Sequence, residues 1–215
     1  VYTLFFFISL FTTKNGLKTI KKLNLLQNIR TEGPSNHFKK SNTPTMGGIF
    51  MIIPFLIFLL IITINLGSLK LLLLLFTIFG FFFTGFLDDY LSIKNRKNTG
   101  LKSKEKFILQ SIISIIFIFI AYENDLINPL IKISESWEID TSIFIFPISF
   151  LVLVGISNSV NLTDGLDGLA AGCSGIVFYG LGTEILMKEQ KELFVFSLLC
   201  YSMSGICLGF LKYNN

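Results

Sequence analysis

Long apolar runs alternate with short polar segments along the whole chain. Six of these runs approach the roughly 20 residues that an α-helix needs to cross about 30 Å of hydrocarbon. They lack the polar face that a helix shows in a soluble protein, so each one predicts a membrane span. Two polar residues inside the third run, Gln110 and Ser111, predict helix–helix contacts. The predicted spans are Ile49–Leu66, Leu69–Leu87, Phe107–Tyr122, Ser142–Val160, Leu169–Met187 and Leu193–Leu211.

A shorter apolar run, Val1–Phe11, opens the sequence and predicts a seventh, partial span. Lysines follow this run from Lys14 onward, whereas a secretory signal peptide carries its charges before its apolar stretch. We therefore expect the tail of a transmembrane helix. The predicted fold class is an all-α, polytopic transmembrane helical bundle, with residues 1–215 forming a single transmembrane domain.

Composition and charge agree with this topology. Hydrophobic residues make up 52% of the chain and charged residues 15%, whereas soluble domains carry about 25% charged residues. Most of the 18 lysines and arginines fall on one side of the predicted topology, and the positive-inside rule places that side in the cytoplasm. The net charge of +4 therefore predicts no nucleic-acid partner. The acidic segment 123–141 is predicted to be external, with Trp137 at the membrane interface.

Three polar segments of unusual composition share the predicted cytoplasmic side. The first, residues 33–48, reads GPSNHFKKSNTPTMGG. Its prolines and terminal glycines predict a rigid, tightly turned loop, in which Thr43 and Thr45 offer hydroxyls beside Lys39 and Lys40. Ammonium and backbone N–H groups together suit a phosphate. The alternative is an ordinary basic loop that leads into the next helix.

The second segment is FLDDY, at the cytoplasmic end of the span that closes with Leu87. Two adjacent carboxylates, Asp88 and Asp89, directly after an apolar run are costly unless a cation pairs with them or they serve a function. Such a pair suits a divalent cation that bridges substrate phosphates, or a general base. The alternative is a solvated interfacial pair neutralised by the basic residues that follow.

The third segment, residues 158–168, reads NSVNLTDGLDG. Asn161, Asp164 and Asp167 recur every three residues, so on a helical turn they would share one face. Two carboxylates and a carboxamide could bind the hydroxyls or amide edges of a nucleoside. Capping of the helix that begins near Leu169 is the alternative, and it accounts for one aspartate but not for both.

Taken together, these blocks resemble the phospho-N-acetylmuramoyl-pentapeptide transferases. That family lies within the polyprenyl-phosphate N-acetylhexosamine-1-phosphate transferase superfamily, or glycosyltransferase family 4. The blocks occur in the order and spacing of the family, and the resemblance covers nearly the whole chain. The matching stretches are GPxxHFxK and TPTMGG within 33–48, FLDDY at Phe86–Tyr90, GLKSKEKFILQ at 100–110, NLTDGLDGLAAG at Asn161–Gly172 and ICLGFLKYN at Ile206–Asn214.

The resemblance implies a reaction and a location. The expected reaction is the Mg²⁺-dependent transfer of phospho-N-acetylmuramoyl-pentapeptide from UDP to undecaprenyl phosphate, which gives lipid I and UMP. The expected enzyme is a homodimer of ten-helix subunits in the bacterial inner membrane, in contact with membrane lipid, with its active site on the cytoplasmic face. A sibling enzyme that transfers GlcNAc-1-phosphate, an inactive membrane scaffold and a transporter are the alternatives. The absence of an internal sequence repeat argues against the transporter.

Residue roles also come from the resemblance. Asp88 and Asp89 match the acidic pair of the family and are the expected catalytic residues and Mg²⁺ ligands, with Asp88 as the base on the lipid phosphate. Ser92 stands where a lysine is common, which weakens one expected phosphate contact. The expected substrate-binding residues are Lys40, Thr45, Lys106, Asn161, Asp164, Asp167 and Asn214.

The family pattern extends past both ends of this sequence, so we expect the 215 residues to be incomplete at both ends. The principal Mg²⁺ ligand of the family is expected after residue 215. The chain by itself is accordingly expected to show no turnover.

Overall fold

A computed structural model of the chain describes residues 1–23, 46–95, 100–134, 137–165 and 167–213. These ranges hold α-helices joined by short turns and one small β-hairpin. Single 3-10 turns, Ser142–Phe144 and Lys191–Leu193, lead into the fifth and seventh helices. The elements are α1 Tyr2–Lys22, α2 Gly47–Leu66, α3 Leu69–Lys94, α4 Ser103–Glu123, β1 Leu130–Ser134, β2 Trp137–Asp140, α5 Ile145–Thr163, α6 Leu169–Met187 and α7 Phe194–Leu211.

The membrane-spanning bundle predicted from the sequence is confirmed. In the described ranges, six helices are long and apolar enough to cross a membrane, and they coincide with the six predicted spans, α2 to α7. The partial span corresponds to α1, which continues through the predicted basic stretch and ends at Lys22. Two features differ from the predictions. Helix α3 runs seven residues beyond the expected end at Leu87, and the external segment contains an antiparallel hairpin.

Helix α7 lies at the centre of the bundle, where half of its length is buried. Its contact with α1 depends on glycines, because a Cβ at Gly205 or Gly209 would overlap the backbone carbonyl of Tyr2 or Phe6. At this contact the Ser9 hydroxyl donates a hydrogen bond of 2.8 Å to the carbonyl of Ile206. Small residues let helices approach closely where lipid supplies no hydrophobic drive for association.

Helices α2 and α6 complete the shell around α7. On the α6 side, the Ser204 hydroxyl donates a 2.7 Å hydrogen bond to the carbonyl of Gly175. On the α2 side, Phe55 and Leu59 are almost fully buried against Ile206 in the main apolar cluster. Side-chain packing and hydrogen bonds that satisfy hydroxyl groups therefore hold this half of the bundle together.

Helices α3, α4 and α5 follow one another along the outside of this shell, α3 against α2 and α5 beside α4. Because consecutive helices run in opposite directions, the chain ends of several elements meet at one end of the bundle. We call this the site end: it holds the C-termini of α3 and α5 and the N-termini of α2, α4 and α6. The opposite end, between α4 and α5, carries β1 and β2 and is called the hairpin end.

Candidate functional site

Asp88 lies in the last two turns of α3 and is tied to the segment that begins α4. Its Oδ1 atom accepts a 2.8 Å hydrogen bond from the backbone N–H of Leu101. The preceding residue, Gly100, packs directly on the Asp88 backbone, and a Cβ there would overlap the Asp88 carbonyl oxygen. The glycine therefore permits the close approach that brings α4 to the carboxylate.

Lys106 joins three helices at the site end. Its Nζ atom is 3.4 Å from Oδ2 of Asp88 and donates a 2.7 Å hydrogen bond to Oδ1 of Asn161. The side chains of Lys106 and Asp88 keep only 18% and 30% of their surface exposed. A partly buried ammonium group between a carboxylate and a carboxamide has a fixed position, so it can meet an incoming anion with little reorganisation.

Asp89 points toward the start of α2. It is half-buried, and its carboxylate accepts a hydrogen bond from the backbone N–H of Met46. Met46 is the residue before α2 and adopts a left-handed conformation with φ 67°, which is uncommon for a residue with a side chain. The charges of Asp88, Lys106 and Asp164 all act on Asp89. The acidic pair thus lies among the ends of α2, α4 and α5.

The third polar segment is a helix end followed by a turn, and this corrects the expectation that its polar residues share one helical face. Helix α5 ends at Thr163, so Asn161 lies on the helix whereas Asp164 and Asp167 lie in the turn before α6. Gly168, whose φ is 73°, is the residue directly before α6. It has no side chain with which to cap the helix. Neither aspartate therefore occupies the N-cap position of α6.

The carboxyl of Asp164, which lies in this turn, has a raised pKa. Burial raises the pKa of its carboxyl above the ordinary value, and the negative charge of Asp167 raises it further. Both causes favour the protonated form or the presence of a nearby cation. In their ionised forms, the two carboxylates of this turn can accept hydrogen bonds from a ligand.

A buried amide network supports the site from within the bundle. Gln110 follows Lys106 by one helical turn on α4 and is 2% exposed. Its Nε2 donates to the Ser157 hydroxyl at 3.2 Å, and its Oε1 accepts from Nδ2 of Asn158 at 2.8 Å. The predicted helix–helix role of Gln110 is confirmed. Among the described residues, the buried hydroxyl of Ser111 has no hydrogen-bond partner.

Several predicted site residues therefore meet at the site end, and others cannot be placed. Asp88, Asp89, Lys106, Asn161 and Asp164 converge, and Asp167 lies in the adjoining turn. Lys40, Thr45 and Asn214 lie outside the described residues.

Sequence reasoning missed two contributors to the site, the backbone N–H groups of Met46 and Leu101. Gly100 was the available signal for Leu101, because it marks a close approach to the Asp88 backbone.

Comparison with known proteins places this arrangement in a family. The family model described as Glycosyl transferase family 4 matches residues 71–215, which is more than half of the chain. The chain belongs to glycosyl transferase family 4. A second model, described as Phospho-N-acetylmuramoyl-pentapeptide-transferase signature 1, matches residues 40–52 of this family 4 chain. That match ends inside α2, whose start contacts Asp89 through Met46.

Three proteins similar to this chain share one name. A phospho-N-acetylmuramoyl-pentapeptide-transferase of Prochlorococcus marinus (strain MIT 9312) is 84% identical over all 215 residues, which cover 60% of that protein. A protein of the same name from Prochlorococcus marinus (strain NATL2A) is 45% identical over 96% of this chain and 56% of its own length. Another from Listeria monocytogenes serovar 1/2a is 41% identical over 90% of this chain and 59% of its own. The chain spans about 60% of the length of these relatives.

The donor atoms at the site end suit a hard divalent cation. Among the described residues, no three His, Cys, Asp or Glu side chains are placed to share a metal ion. Mg²⁺, however, is commonly held by only one or two carboxylates together with the phosphates of a substrate. Asp88 and Asp89 provide two such carboxylates, so the residues present fit Mg²⁺ bound together with a phosphate.

Proposed function

We propose that the protein transfers phospho-N-acetylmuramoyl-pentapeptide from its UDP conjugate to undecaprenyl phosphate, forming lipid I and releasing UMP. The matched signature at residues 40–52 and the shared name of the relatives support this substrate pair. The observation that carries the proposal is the placement of Lys106 between Asp88 and Asn161, which gathers the second and third polar segments around one ammonium group.

The proposed reaction exchanges one phosphorus–oxygen bond for another. An oxygen of the lipid phosphate becomes bonded to the phosphorus that carries the sugar, and the bond from that phosphorus to UMP breaks. Negative charge moves onto the departing UMP during this exchange, so fixed positive charge at the site stabilises the transition state. Lys106 is in a position to supply this positive charge, and its ammonium group is held by Asn161 as well as by Asp88.

The acidic pair has two proposed roles. Asp88 is the base toward the lipid phosphate, since an incoming phosphate would compete with Asp88 for Lys106 and free the carboxylate. Asp88 and Asp89 together would hold Mg²⁺. When bound, that ion supplies positive charge to the phosphate oxygens. The turn with Asp164 and Asp167 is proposed to contact the nucleoside, and Lys40, Thr45 and Asn214 are proposed as further substrate contacts.

The proposed location is the bacterial inner membrane, with the site end on the cytoplasmic face. The basic residues at the end of α1 and at the start of α4 support this orientation, because the end of α1 lies beside Met46 at the site end and α4 begins there. A water-soluble nucleotide sugar would reach the site from this side, while the polyprenyl chain stays in the bilayer. We propose a homodimer as the working assembly.

Substrate choice tests the proposal most simply. Membranes that contain the full gene product are supplied with undecaprenyl phosphate, Mg²⁺ and either radiolabelled UDP-N-acetylmuramoyl-pentapeptide or radiolabelled UDP-GlcNAc. The expected result is a labelled, lipid-extractable product from the pentapeptide substrate together with UMP. Labelled lipid from UDP-GlcNAc alone would identify the sibling reaction and refute the proposed one.

A further inference from the structure

The hairpin gathers three of its apolar side chains on one face. Ile131 pairs with Ile139 across the ladder, and Trp137 shares the face of Ile139 because side chains alternate along a strand. The other face carries the carboxylates of Glu138 and Asp140, with Leu130 paired opposite Asp140. We define the apolar face of the hairpin as Ile131, Trp137 and Ile139.

This apolar face is open. Ile131 and Ile139 are each 40% exposed and Trp137 is 58% exposed. A two-stranded hairpin has no second layer and is marginally stable by itself in water, so an uncovered apolar face requires a partner that excludes water. Within the part of the chain that the structure describes, no helix covers these three side chains well enough to exclude water from them.

The hairpin is held close to the ends of two membrane spans. Its base is closed by Thr141, whose backbone N–H and hydroxyl both donate to the carbonyl of Pro129, at 3.0 and 2.7 Å. The span of α5 begins at the next residue, Ser142. A strand of five residues extends about 17 Å, so no part of the hairpin can lie far from this base. The polar headgroup layer begins at the same level.

The open surface continues from the hairpin into the membrane span. Ile143 and Phe144, directly after the hairpin base, are 72% and 67% exposed at the start of the span of α5. They are apolar residues at the level where a span enters the bilayer. The lipid-facing surface of α5 and the apolar face of the hairpin are thus separated by a few residues only.

We infer that the hairpin lies on the membrane surface at the hairpin end, with its apolar face inserted among the lipid headgroups and upper acyl chains. Three observations favour lipid as the partner: the short tether to the span, the adjoining exposed Ile143 and Phe144, and a tryptophan beside two isoleucines. Tryptophan favours the interface because its ring is apolar and its N–H can still reach water. The acidic face, with Glu138 and Asp140, then points toward the aqueous phase. This inference does not depend on the proposed reaction.

Trp137 provides a direct test, because it is the only tryptophan of the 215 residues. The chain is placed in lipid nanodiscs that hold one copy each, and tryptophan emission is recorded with brominated phosphatidylcholines that carry bromine at shallow or deep positions. Iodide reports exposure to water. We expect emission at shorter wavelength than tryptophan in water, strongest quenching by the shallow bromine and little quenching by iodide.

Two variants sharpen the result. Replacing both isoleucines, Ile131→Ser with Ile139→Ser, is expected to shift the emission to longer wavelength and to raise iodide quenching, whereas Glu138→Ser on the opposite face leaves both unchanged. Because the unmodified chain is measured first, a variant that fails to fold does not spoil the test. Strong iodide quenching without bromine quenching would overturn the inference. A Trp137 that neither quencher reaches would overturn it as well, since protein would then cover the face.

Discussion

The amide of Gln110 is the most informative side chain to remove from the interior of the bundle. Gln110→Met keeps a long unbranched side chain but deletes both interhelical hydrogen bonds, to Ser157 and to Asn158. The change leaves the partly buried hydroxyl of Ser157 and one amide proton of Asn158 without their former partners, although Asn158 keeps its bond to the Val154 carbonyl. The interface between α4 and α5 is therefore expected to weaken.

The expected loss of stability follows from those two bonds. Hydrogen bonds between transmembrane helices contribute about 0.6 kcal/mol each on average and up to about 1.7 kcal/mol. Two such bonds give about 1 to 3 kcal/mol for Gln110→Met. The free energy of unfolding is measured for the chain in bicelles by reversible SDS titration. Ile115→Met, on the exposed side of the same helix, is the matched control and should change stability by less than about 0.5 kcal/mol.

The same variant also tests the link to the site. Lys106 precedes Gln110 by one helical turn, so a looser interface between α4 and α5 moves its ammonium group away from Asn161. Pairing Gln110→Met with Asn158→Leu in a double-mutant cycle isolates the coupling between the two amides. A coupling energy near zero, together with unchanged stability of Gln110→Met, would refute the network as a structural element.

Three further predictions concern packing, protonation and chemistry. Gly205→Ala should destabilise the bundle by about 1 to 3 kcal/mol in the same titration, because its Cβ overlaps the Tyr2 carbonyl, while Gly180→Ala, which has open space, should be neutral or stabilising. Asp164→Asn should raise the melting temperature at neutral pH, because the folded chain favours the protonated carboxyl, and this advantage should shrink as the pH falls through the raised pKa; a lower melting temperature at neutral pH would contradict it. Asp88→Asn in the full gene product should reduce transfer by orders of magnitude without loss of membrane insertion, and near-normal rates would remove Asp88 from the mechanism.

The helical bundle was predictable because hydropathy alone defines membrane spans. Hydropathy did not predict where α3 ends. The segment from Asp88 to Lys94 contains three charged residues, so hydropathy ends the span at Leu87, yet the backbone hydrogen bonds of a helix do not require apolar side chains. The hairpin was missed for a different reason. The alternation in LIKIS and WEID is a strand signal, but each stretch is only four or five residues long.

The site was predictable in its residue types more than in its contacts. Adjacent carboxylates after an apolar run, and an asparagine with two aspartates beside glycines, stand out because such groups are costly at a membrane boundary. Lys106 differs, since it is one of many lysines and only family resemblance singled it out. Its contact with Asn161, 55 residues away in sequence, depends on how α4 packs on α5, which no local pattern encodes.

In the proposed reaction, the ammonium group of Lys106, held between Asp88 and Asn161, acts on the transferred phosphate. The measurement that tests it most directly is the transfer rate of the full gene product with Lys106→Met, beside Lys104→Met, an exposed lysine of the same helix turn. Loss of one preorganised charge-stabilising group costs about 10²- to 10³-fold in rate, so Lys106→Met should fall by that factor while Lys104→Met stays within about twofold of the parent. Equal rates for Lys106→Met and the parent would contradict the account.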